Sequence, residues 1–465
     1  MPPMSFHLGK PILVMMVLAG VTGAATWVRR EPAPKGLTLW VFADAHYSSY
    51  KPEIARYGQE SGILVDMQIV QVHAMGRRLQ AIFADELIGS GVPDVVEVEV
   101  GQVGKFFRPP NREIGFEPLQ PMLERSGWYD QIVPARFAPW TRHGTIFGVP
   151  HDVHPVGITY REDLFREAGI DLAAAKTWPD FQQACLAFQR YWAARGFKTR
   201  HALELYAARV DLLNLMLLQR GVNLVDDFDR IHMADPKVAS TLAFYAQCVA
   251  GPTRIGSEAG EGDGPFTRDL LDGNLCAFFT PDWRIGLIKQ FGGQTLNGKL
   301  RFMPLPRFDP ADAPTASWGG TMIAILRGSQ HKDEAWKLIE RLYFDRAGVE
   351  ARRALTQILP PVTPFWNDPS YHKPDPYFGG QHLDEQLIAL AGELPPRYVT
   401  PMTNIANLYL MQVLHRATRL VEETGTQGLD VACQRLLNTA AADLADRMKQ
   451  WEFEGGSPAE SAGKR

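Results

Sequence analysis

The chain has 465 residues, of which 45% are apolar and 22% are charged, an ordinary globular composition. This length supplies apolar residues for more than one hydrophobic core, so two domains or one long two-lobed unit are expected. The formal net charge of −4 gives no basic field, which excludes nucleic-acid binding as the function. Four cysteines lie far apart without metal-like spacing, and we predict buried free thiols, with two disulfides as the alternative: Cys185, Cys248, Cys276 and Cys433.

The N-terminus has the pattern of an export signal. An apolar run at 11–25 follows Lys10, is shorter than the roughly 20 residues of a spanning helix, and ends in small residues that suit cleavage. Arg29 and Arg30 follow the run and would resist translocation, so residues 1–35 are either a signal peptide or an N-terminal membrane anchor, plus a Pro-rich spacer. We therefore expect a periplasmic or other extracytoplasmic protein, either free or tethered by an uncleaved helix.

Strands and helices alternate in the first part of the chain. Apolar, β-branched and aromatic runs at 37–42, 63–70 and 93–100 predict strands, with a helix ending near Gly62 and another through 79–87. This alternation predicts a parallel sheet covered by helices on both faces. Ligands bind beyond the carboxyl ends of such strands, so the loops after the first and third strands are the first places to examine.

The later part of the chain is mainly helical. Apolar residues in the stretch 335–342 recur at i, i+3, i+4 and i+7, which predicts an amphipathic helix after His331. A further helical pattern ends at Leu359, because two prolines follow and cannot continue it. The segment 404–451 predicts two long helices separated at 425–428, and 456–465 is predicted to be a disordered tail.

Nine short segments occur in a characteristic order over about 300 residues behind the export signal. They are 39–44, 92–97, 115–119, 147–154, 160–165, 176–181, 278–284, 317–320 and 334–338. Each is only an apolar stretch with a turn, but together they resemble the extracellular solute-binding proteins of ABC sugar importers, the family that includes maltose-binding protein.

The resemblance implies an α/β fold of the two-lobed periplasmic-binding-protein type. Each lobe would be a mainly parallel sheet flanked by helices, and the lobes would be joined by a hinge. Carried over to this sequence, the first lobe comprises 36–152 and 316–358, and the second comprises 153–315 and 359–455. The crossing segments are expected near Val153, Thr315 and Pro360.

The same resemblance implies a binding protein and not an enzyme. It would capture a mono- or oligosaccharide in the cleft between the lobes and deliver it to the membrane subunits of an ABC permease, as a monomer without a cofactor. Three alternatives stay open: a non-sugar solute or a metal as the ligand, a glycoside-active enzyme using Glu97 and Glu99, and a membrane-anchored sensor without an importer.

Candidate ligand contacts follow the first and third predicted strands. Sugar sites combine apolar and aromatic surfaces with a few convergent polar groups. Asp44 and His46 come just after the first strand, where they bind hydroxyls or, for Asp44, cap the next helix. Glu97 and Glu99 are spaced i, i+2 and therefore point to one face, as ligand contacts or as solvated charges at the strand end.

Three polar residues mark the first crossing between the lobes. His151, Asp152 and His154 could contact a sugar, ligate a metal together with His143, or serve packing. The segment is extended and interrupted by Pro155, a spacing that does not favour a metal, and we predict none. The resemblance favours a sugar contact at Asp152 or His154.

Two tryptophans beside turns are the predicted stacking platforms. Trp283 lies between Asp282 and Arg284, and Trp318 precedes Gly319, whose lack of a side chain permits close backbone approach. Arg284 would pair with Asp282 or donate to sugar hydroxyls. Further candidates from the second lobe are Tyr206, Trp366 and Arg397. The sequence has no P-loop, GxSxG, strand-following GxGxxG or HExxH motif, so no catalytic chemistry is predicted.

Overall fold

The structure is a computed structural model that describes residues 36–84, 91–108, 110–257 and 263–455. The predicted export signal and the predicted C-terminal tail lie outside these residues. Within the described ranges, no helix combines the length and the apolar character that a membrane span requires.

Two five-stranded sheets organise the described part of the chain. The strands are β1 Gly36–Val41, β2 Leu64–Ile69, β3 Val95–Glu99, β4 Thr141–Arg142, β5 Thr145–Ile146, β6 Val149–Pro150, β7 Val156–Arg161, β8 His201–Glu204, β9 Gly256–Ser257, β10 Leu275–Pro281, β11 Leu300–Pro304 and β12 Thr321–Ile325. The first sheet has the order β2-β1-β3-β12-β6 and the second has the order β11-β7-β10-β8-β9, while β4 and β5 form a separate hairpin. We call the parts built on these sheets the first and the second lobe.

The α-helices surround the sheets. They are α1 Asp44–Ser61, α2 Val72–Phe83, α3 Val100–Val103, α4 Gln120–Arg125, α5 Glu162–Glu167, α6 Trp178–Ala193, α7 Asp211–Gln219, α8 Pro236–Val249, α9 Asp263–Asp272, α10 Asp282–Leu296, α11 Lys332–Tyr343, α12 Arg346–Thr356, α13 Leu383–Ala391, α14 Thr403–Thr424 and α15 Leu429–Gly455. The predicted two-lobed α/β class is confirmed.

Strand direction is more mixed than the prediction of mainly parallel sheets. In the first sheet β1 runs parallel to β2 and β3, whereas β12 runs antiparallel to β3 and β6. In the second sheet β8 runs parallel to β9 and β10, whereas β7 runs antiparallel to β10 and β11. The antiparallel pairs involve β6, β7 and β12, which adjoin the segments where the chain passes between lobes.

Local sequence accounts for most element boundaries. Helix α1 ends at Gly62, whose φ of 73° is the left-handed conformation that glycine adopts at helix ends. The predicted apolar face of α11 is buried, as is expected for an amphipathic helix against a sheet. Helix α2 begins earlier than predicted, and α14 and α15 are the two long C-terminal helices.

The first sheet has a hydrophobic core on each face. Alternate residues of β1 point to opposite sides, so Leu39 packs with Ile323 in one core and Trp40 packs with Met322 in the other. The second lobe likewise has two clusters. All four cysteines are free and are buried in one of them, and their burial was predicted: Cys185, Cys248, Cys276 and Cys433.

Three chain segments lie side by side where the lobes meet. The Val153 amide donates to the Leu359 carbonyl at 3.1 Å, and the Val156 amide donates to the Ala316 carbonyl at 3.0 Å. An isolated antiparallel bridge joins Pro155 to Ser317. These contacts lie at the expected crossings, and the exact lobe boundaries remain a prediction.

The hairpin of β4 and β5 reaches from the first lobe onto the second. Arg142 is fully buried, and its Nη1 donates to the Asp227 carbonyl at 2.9 Å while its Nη2 donates to Asp229 Oδ2. The His143 amide donates to Asp227 Oδ1 at 3.0 Å. These hydrogen bonds join the two lobes, and we call the residues that make them the interlobe clasp: Arg142, His143, Asp227 and Asp229.

Removing the clasp is expected to favour an open arrangement of the lobes. Hydrogen bonds to charged groups contribute roughly 1.5–3 kcal/mol, so Arg142→Ala should shift the open–closed balance by about tenfold or more. Small-angle scattering of the variant should show a larger radius of gyration than the wild type. The exposed Arg125→Ala, also in the first lobe, is the control. Scattering curves that coincide for Arg142→Ala and the wild type would refute this role.

Candidate functional site

A cleft of 270 Å³ lies between the two lobes. The first lobe contributes the end of β3 and the start of α3, and the second contributes α7, the start of α14 and the segments 222–225 and 397–400. The crossing segment Ser317 to Gly319 also lines the cleft. The cleft therefore lies at the carboxyl end of a sheet strand, where α/β folds bind ligands.

Glu99 of the first lobe and Arg397 of the second bring opposite charges to this cleft. Glu99 ends β3 and accepts a hydrogen bond from the Gly101 amide at 2.8 Å, and burial raises the pKa of its carboxyl. Burial lowers the pKa of Arg397, although the Glu99 carboxylate acts in the other direction. Arg397 makes no hydrogen bond to another described residue. Because Arg397 is only half-buried and its donors have no hydrogen-bond partner among the described residues, its guanidinium is available to donate to a ligand oxygen.

Four planar polar side chains come from two helix starts in the second lobe. Asp211 and Asn214 lie in the first turn of α7, and Asn404 and Asn407 lie in the first two turns of α14. Asn214 Nδ2 donates to Asn407 Oδ1 at 2.9 Å, which fixes one pair. Amides and carboxylates at such positions offer both donors and acceptors to ligand hydroxyls.

Trp318 supplies aromatic surface to the cleft, which Tyr398 also lines. Its ring meets the Trp283 ring edge to face, with centroids 5.8 Å apart, and Trp283 Nε1 donates to the Trp318 carbonyl at 3.1 Å. Trp283 therefore positions Trp318 and does not itself line the cleft. Gly319 has a φ of 91°, and a Cβ there would lie 3.3 Å from His154 Cδ2, so glycine is required.

Of the twelve predicted contacts, Glu99, Trp318 and Gly319 line the cleft. Asp44 is exposed in the first turn of α1, where Ala43 occupies the N-cap position. It therefore does not cap this helix, although a carboxylate in the first turn interacts favourably with the helix dipole.

Glu97 is enclosed in the first lobe and does not face the cleft beside Glu99. It is fully buried and accepts hydrogen bonds from the hydroxyls of Tyr50 at 2.6 Å and Tyr343 at 2.8 Å. Nδ1 of His46 lies 2.8 Å from Glu97 Oε2. Burial alone would raise the pKa of Glu97, but His46 and the other partners lower it to about 2. The two glutamates thus have separate environments.

His151 lies against this cluster. Its ring centroid is 4.2 Å from that of His46, and neither of its ring nitrogens has a hydrogen-bond partner among the described residues. Burial lowers the pKa of His151 to about 3, so the imidazole is neutral. His151 is completely buried and is not among the residues that line the cleft.

Asp152, His154 and Asp282 form a buried network across the crossing segments. Asp152 Oδ1 accepts from Arg136 Nη2 at 2.6 Å, and Asp152 Oδ2 lies 3.1 Å from His154 Nε2. His154 Nδ1 lies 2.5 Å from Asp282 Oδ1, and Asp282 Oδ2 accepts from the Leu359 amide at 2.7 Å. The polar atoms of these three side chains already have protein partners, so they connect the lobes and are not presented to a ligand.

The network predicts a loss of stability in mild alkali. Burial lowers the pKa of His154, but Asp152 and Asp282 together raise it to about 9. The stabilisation is complete below the unfolded-state pKa of about 6.5 and is lost as the pH rises through 9, by roughly 3 kcal/mol. Urea unfolding at pH 6 and at pH 9.5 measures it. His154→Gln should remove most of the difference, and an equal difference in the variant would exclude His154 as its source.

Arg284 is paired within the second lobe. Its guanidinium donates to both carboxylate oxygens of Glu204, at 2.6 and 2.9 Å, and the Tyr206 hydroxyl donates to the same carboxylate at 2.5 Å. The predicted pairing of Arg284 with Asp282 is replaced by this bidentate pair. Tyr206 and Trp366 do not line the cleft, whereas Arg397 does.

The four asparagine and aspartate contacts were missed by the sequence interpretation. A signal existed, because Asp211 and Asn214, and likewise Asn404 and Asn407, are spaced i, i+3 at the start of a helix. Such a spacing places both polar groups on one helix face. Only the tertiary arrangement brings the two faces together.

Comparison with known proteins identifies relatives of the same architecture. Residues 45–196 match the model of the bacterial extracellular solute-binding protein family. An arabinooligosaccharide-binding protein of Halalkalibacterium halodurans is 22% identical over 408 residues, covering 85% of this chain and 87% of the relative. A lactose-binding protein of Rhizobium radiobacter is 26% identical over 403 residues, covering 83% and 88%.

Solved structures share the fold. The sugar-binding protein MalE from Xanthomonas citri superimposes with a TM-score of 0.72 at 22% identity, covering 91% of this chain and 100% of that chain. An ABC transporter associated binding protein from B. animalis subsp. lactis, in complex with beta-1,6-galactobiose, gives a TM-score of 0.64 at 19% identity, covering 88% and 98%.

Proposed function

This chain resembles the bacterial extracellular solute-binding proteins in sequence and shares the two-lobed fold of MalE-type structures, and we propose that it captures a carbohydrate for an ABC importer. The cleft carries this proposal, because it sets the indole of Trp318 beside the charged and amide groups of both lobes. Apolar surface with a few convergent polar groups is what sugar recognition requires. The names of the relatives, which include binding proteins for arabinooligosaccharide and lactose, support the ligand class.

The binding step is a closure of two lobes on one ligand. A sugar that contacts Glu99 in the first lobe and Asn404 in the second stabilises the closed form by its differential affinity. The crossing segments would act as the hinge, and the interlobe clasp adds to the closed state. A permease that recognises the closed surface then receives only loaded protein. The energy of transport comes from a separate ATPase, since the sequence has no P-loop.

The protein acts outside the cytoplasm as a monomer and without catalysis. Its N-terminal segment serves export, and the retained form of that segment would tether the protein beside its permease. Burial of Glu97 argues against a glycosidase that uses Glu97 and Glu99, because the two catalytic carboxyl groups must flank the scissile bond. The described residues bring only one of the two glutamates to the cleft.

A thermal-shift panel tests the ligand class. A ligand that binds only the native state raises the free energy of unfolding, by about 2.7 kcal/mol at a concentration of about a hundred times the Kd. The melting temperature rises accordingly. Arabino-oligosaccharides, lactose, galactobiose and maltodextrins are compared with amino acids, peptides and polyamines. We expect a shift with at least one saccharide and none with the other classes. A shift confined to a non-sugar solute would overturn the proposal.

A further inference from the structure

A cluster of metal-ligating side chains lies in the first lobe, apart from the cleft. It consists of His46 at the start of α1, Glu97 in β3 and His151 just after β6. One ligand atom from each residue lies within 4.8 Å of the other two, and all three residues are buried. We propose that these residues form a structural site for one divalent transition metal, with zinc as the ion that fits them best.

The unsatisfied imidazole of His151 is the strongest observation. Its side chain is completely enclosed, and neither Nδ1 nor Nε2 has a hydrogen-bond partner among the described residues. A buried polar group without a partner costs about 1–3 kcal/mol, so native proteins rarely keep one. A metal held between His151 and the adjacent His46 removes this cost, since a neutral imidazole donates a nitrogen lone pair to it.

The surrounding groups have the arrangement that orients metal ligands. Ligating histidines usually face a carboxylate with the other ring nitrogen, and ligating carboxylates are themselves hydrogen-bonded. Asp152 Oδ2 lies 3.5 Å from His151 Nδ1 and does not accept a hydrogen bond from it in this arrangement. A small rotation of the ring would let Nδ1 donate to Asp152 and would leave Nε2 for the metal. The hydroxyls of Tyr50 and Tyr343 both donate to Glu97 Oε1, which leaves Oε2 on the side of His46.

The donor set selects the ion. Two imidazoles and one carboxylate suit zinc, which binds such ligands at about 2.0–2.2 Å and takes water in its remaining position. His46 Nδ1 and Glu97 Oε2 are 2.8 Å apart, a hydrogen-bond distance, so they must separate slightly to admit an ion. Calcium and magnesium prefer sites made of oxygen ligands and fit this set poorly. Because the residues are buried, the ion would serve structure and not catalysis.

Such an ion would fix the start of the first crossing. It would join α1, β3 and the segment that enters the second lobe, three parts of the chain that are distant in sequence. The sequence spacing of His143, His151 and His154 does not favour a metal, and the ligands proposed here differ because His46 and Glu97 replace the other two histidines. Metal binding at a site assembled by folding contributes directly to folding stability.

The test is made on the full chain without a polyhistidine tag. The protein is unfolded in denaturant that contains a chelator and is then refolded with zinc or cobalt. Unbound metal is removed on a desalting column, and the metal content of the protein is measured. We expect one ion per chain, visible cobalt bands typical of tetrahedral coordination, and a higher melting temperature than after refolding with chelator. His151→Ala and His46→Ala should each lower the metal content at least tenfold, whereas the exposed His331→Ala should keep it.

X-ray absorption spectroscopy of the zinc-loaded wild type identifies the atoms bound to the ion, so the site can be tested even if a ligand variant does not fold. A shell of nitrogen and oxygen neighbours near 2.0–2.1 Å with imidazole scattering supports the site. Wild-type protein that refolds without retaining zinc or cobalt would overturn the proposal. So would a bound ion that persists in both His46→Ala and His151→Ala. These outcomes do not depend on whether the cleft binds a sugar.

Discussion

Arg397→Ala is expected to raise the Kd for the cognate sugar by roughly ten- to a hundredfold. Arg397 is the charged donor of the cleft that makes no hydrogen bond to a described residue, so its hydrogen-bonding capacity is available to the ligand. A hydrogen bond to a charged group contributes about 1.5–3 kcal/mol, which corresponds to this range of affinity. The loss should appear mainly as faster dissociation. Isothermal titration calorimetry with the saccharide identified by thermal shift measures it.

Arg416→Ala is the matched control for this experiment. Arg416 lies on α14 in the same lobe, is exposed, and does not line the cleft. Its removal leaves the net charge of the variant equal to that of Arg397→Ala, so a general electrostatic effect would weaken both. An unchanged Kd in Arg397→Ala would remove this residue from the site.

Asp152→Ala is expected to lower the free energy of unfolding by about 3–5 kcal/mol. Asp152 accepts from Arg136 and from the Thr321 amide and lies against His154, and all of these atoms are buried. Truncating it leaves the Arg136 guanidinium, whose side chain is only 1% exposed, without its counter-ion. Removing one partner of a buried ion pair costs this much because an uncompensated charge remains. Urea unfolding at pH 7 measures the change.

A matched aspartate separates this effect from the general cost of the substitution. Asp443 is exposed on α15, and Asp443→Ala should change stability by less than about 0.5 kcal/mol. If Asp152→Ala were as stable as Asp443→Ala, the network would not stabilise the crossing segments. Because Asp152 lies outside the cleft, the folded variant should still bind the sugar.

The fold was largely predictable from local sequence. The strand β1 is a short apolar and β-branched run, and α11 has the apolar periodicity of an amphipathic helix, so each pattern predicts one element. The order of short segments then supplied the two-lobed architecture through its resemblance to a family. Strand direction was not predictable, because the antiparallel pairing of β12 with β3 depends on where a distant segment returns to the sheet.

The site was predictable only in part. Trp318 and Gly319 were predicted because a tryptophan followed by glycines is a pattern that can be recognised within a few residues of sequence. From sequence alone, Glu97 and Asp152 are as plausible as ligand contacts as the residues that line the cleft. In the fold both carboxylates are buried, and other residues of the protein occupy their hydrogen-bonding capacity. Conversely, Asn404 becomes a cleft residue only because α14 starts opposite the first lobe. Whether a polar residue faces a ligand or a protein partner depends on contacts that sequence spacing does not encode.

A crystal structure of the protein with its cognate saccharide is the most direct test of a sugar site between the lobes. We predict one saccharide in the interlobe cleft, with a ring face on Trp318 and hydroxyls bonded to Glu99 and Arg397. Groups from both lobes should contact the same sugar. Saccharide density found only outside this cleft, with Trp318 and Arg397 left free, would contradict the proposed function.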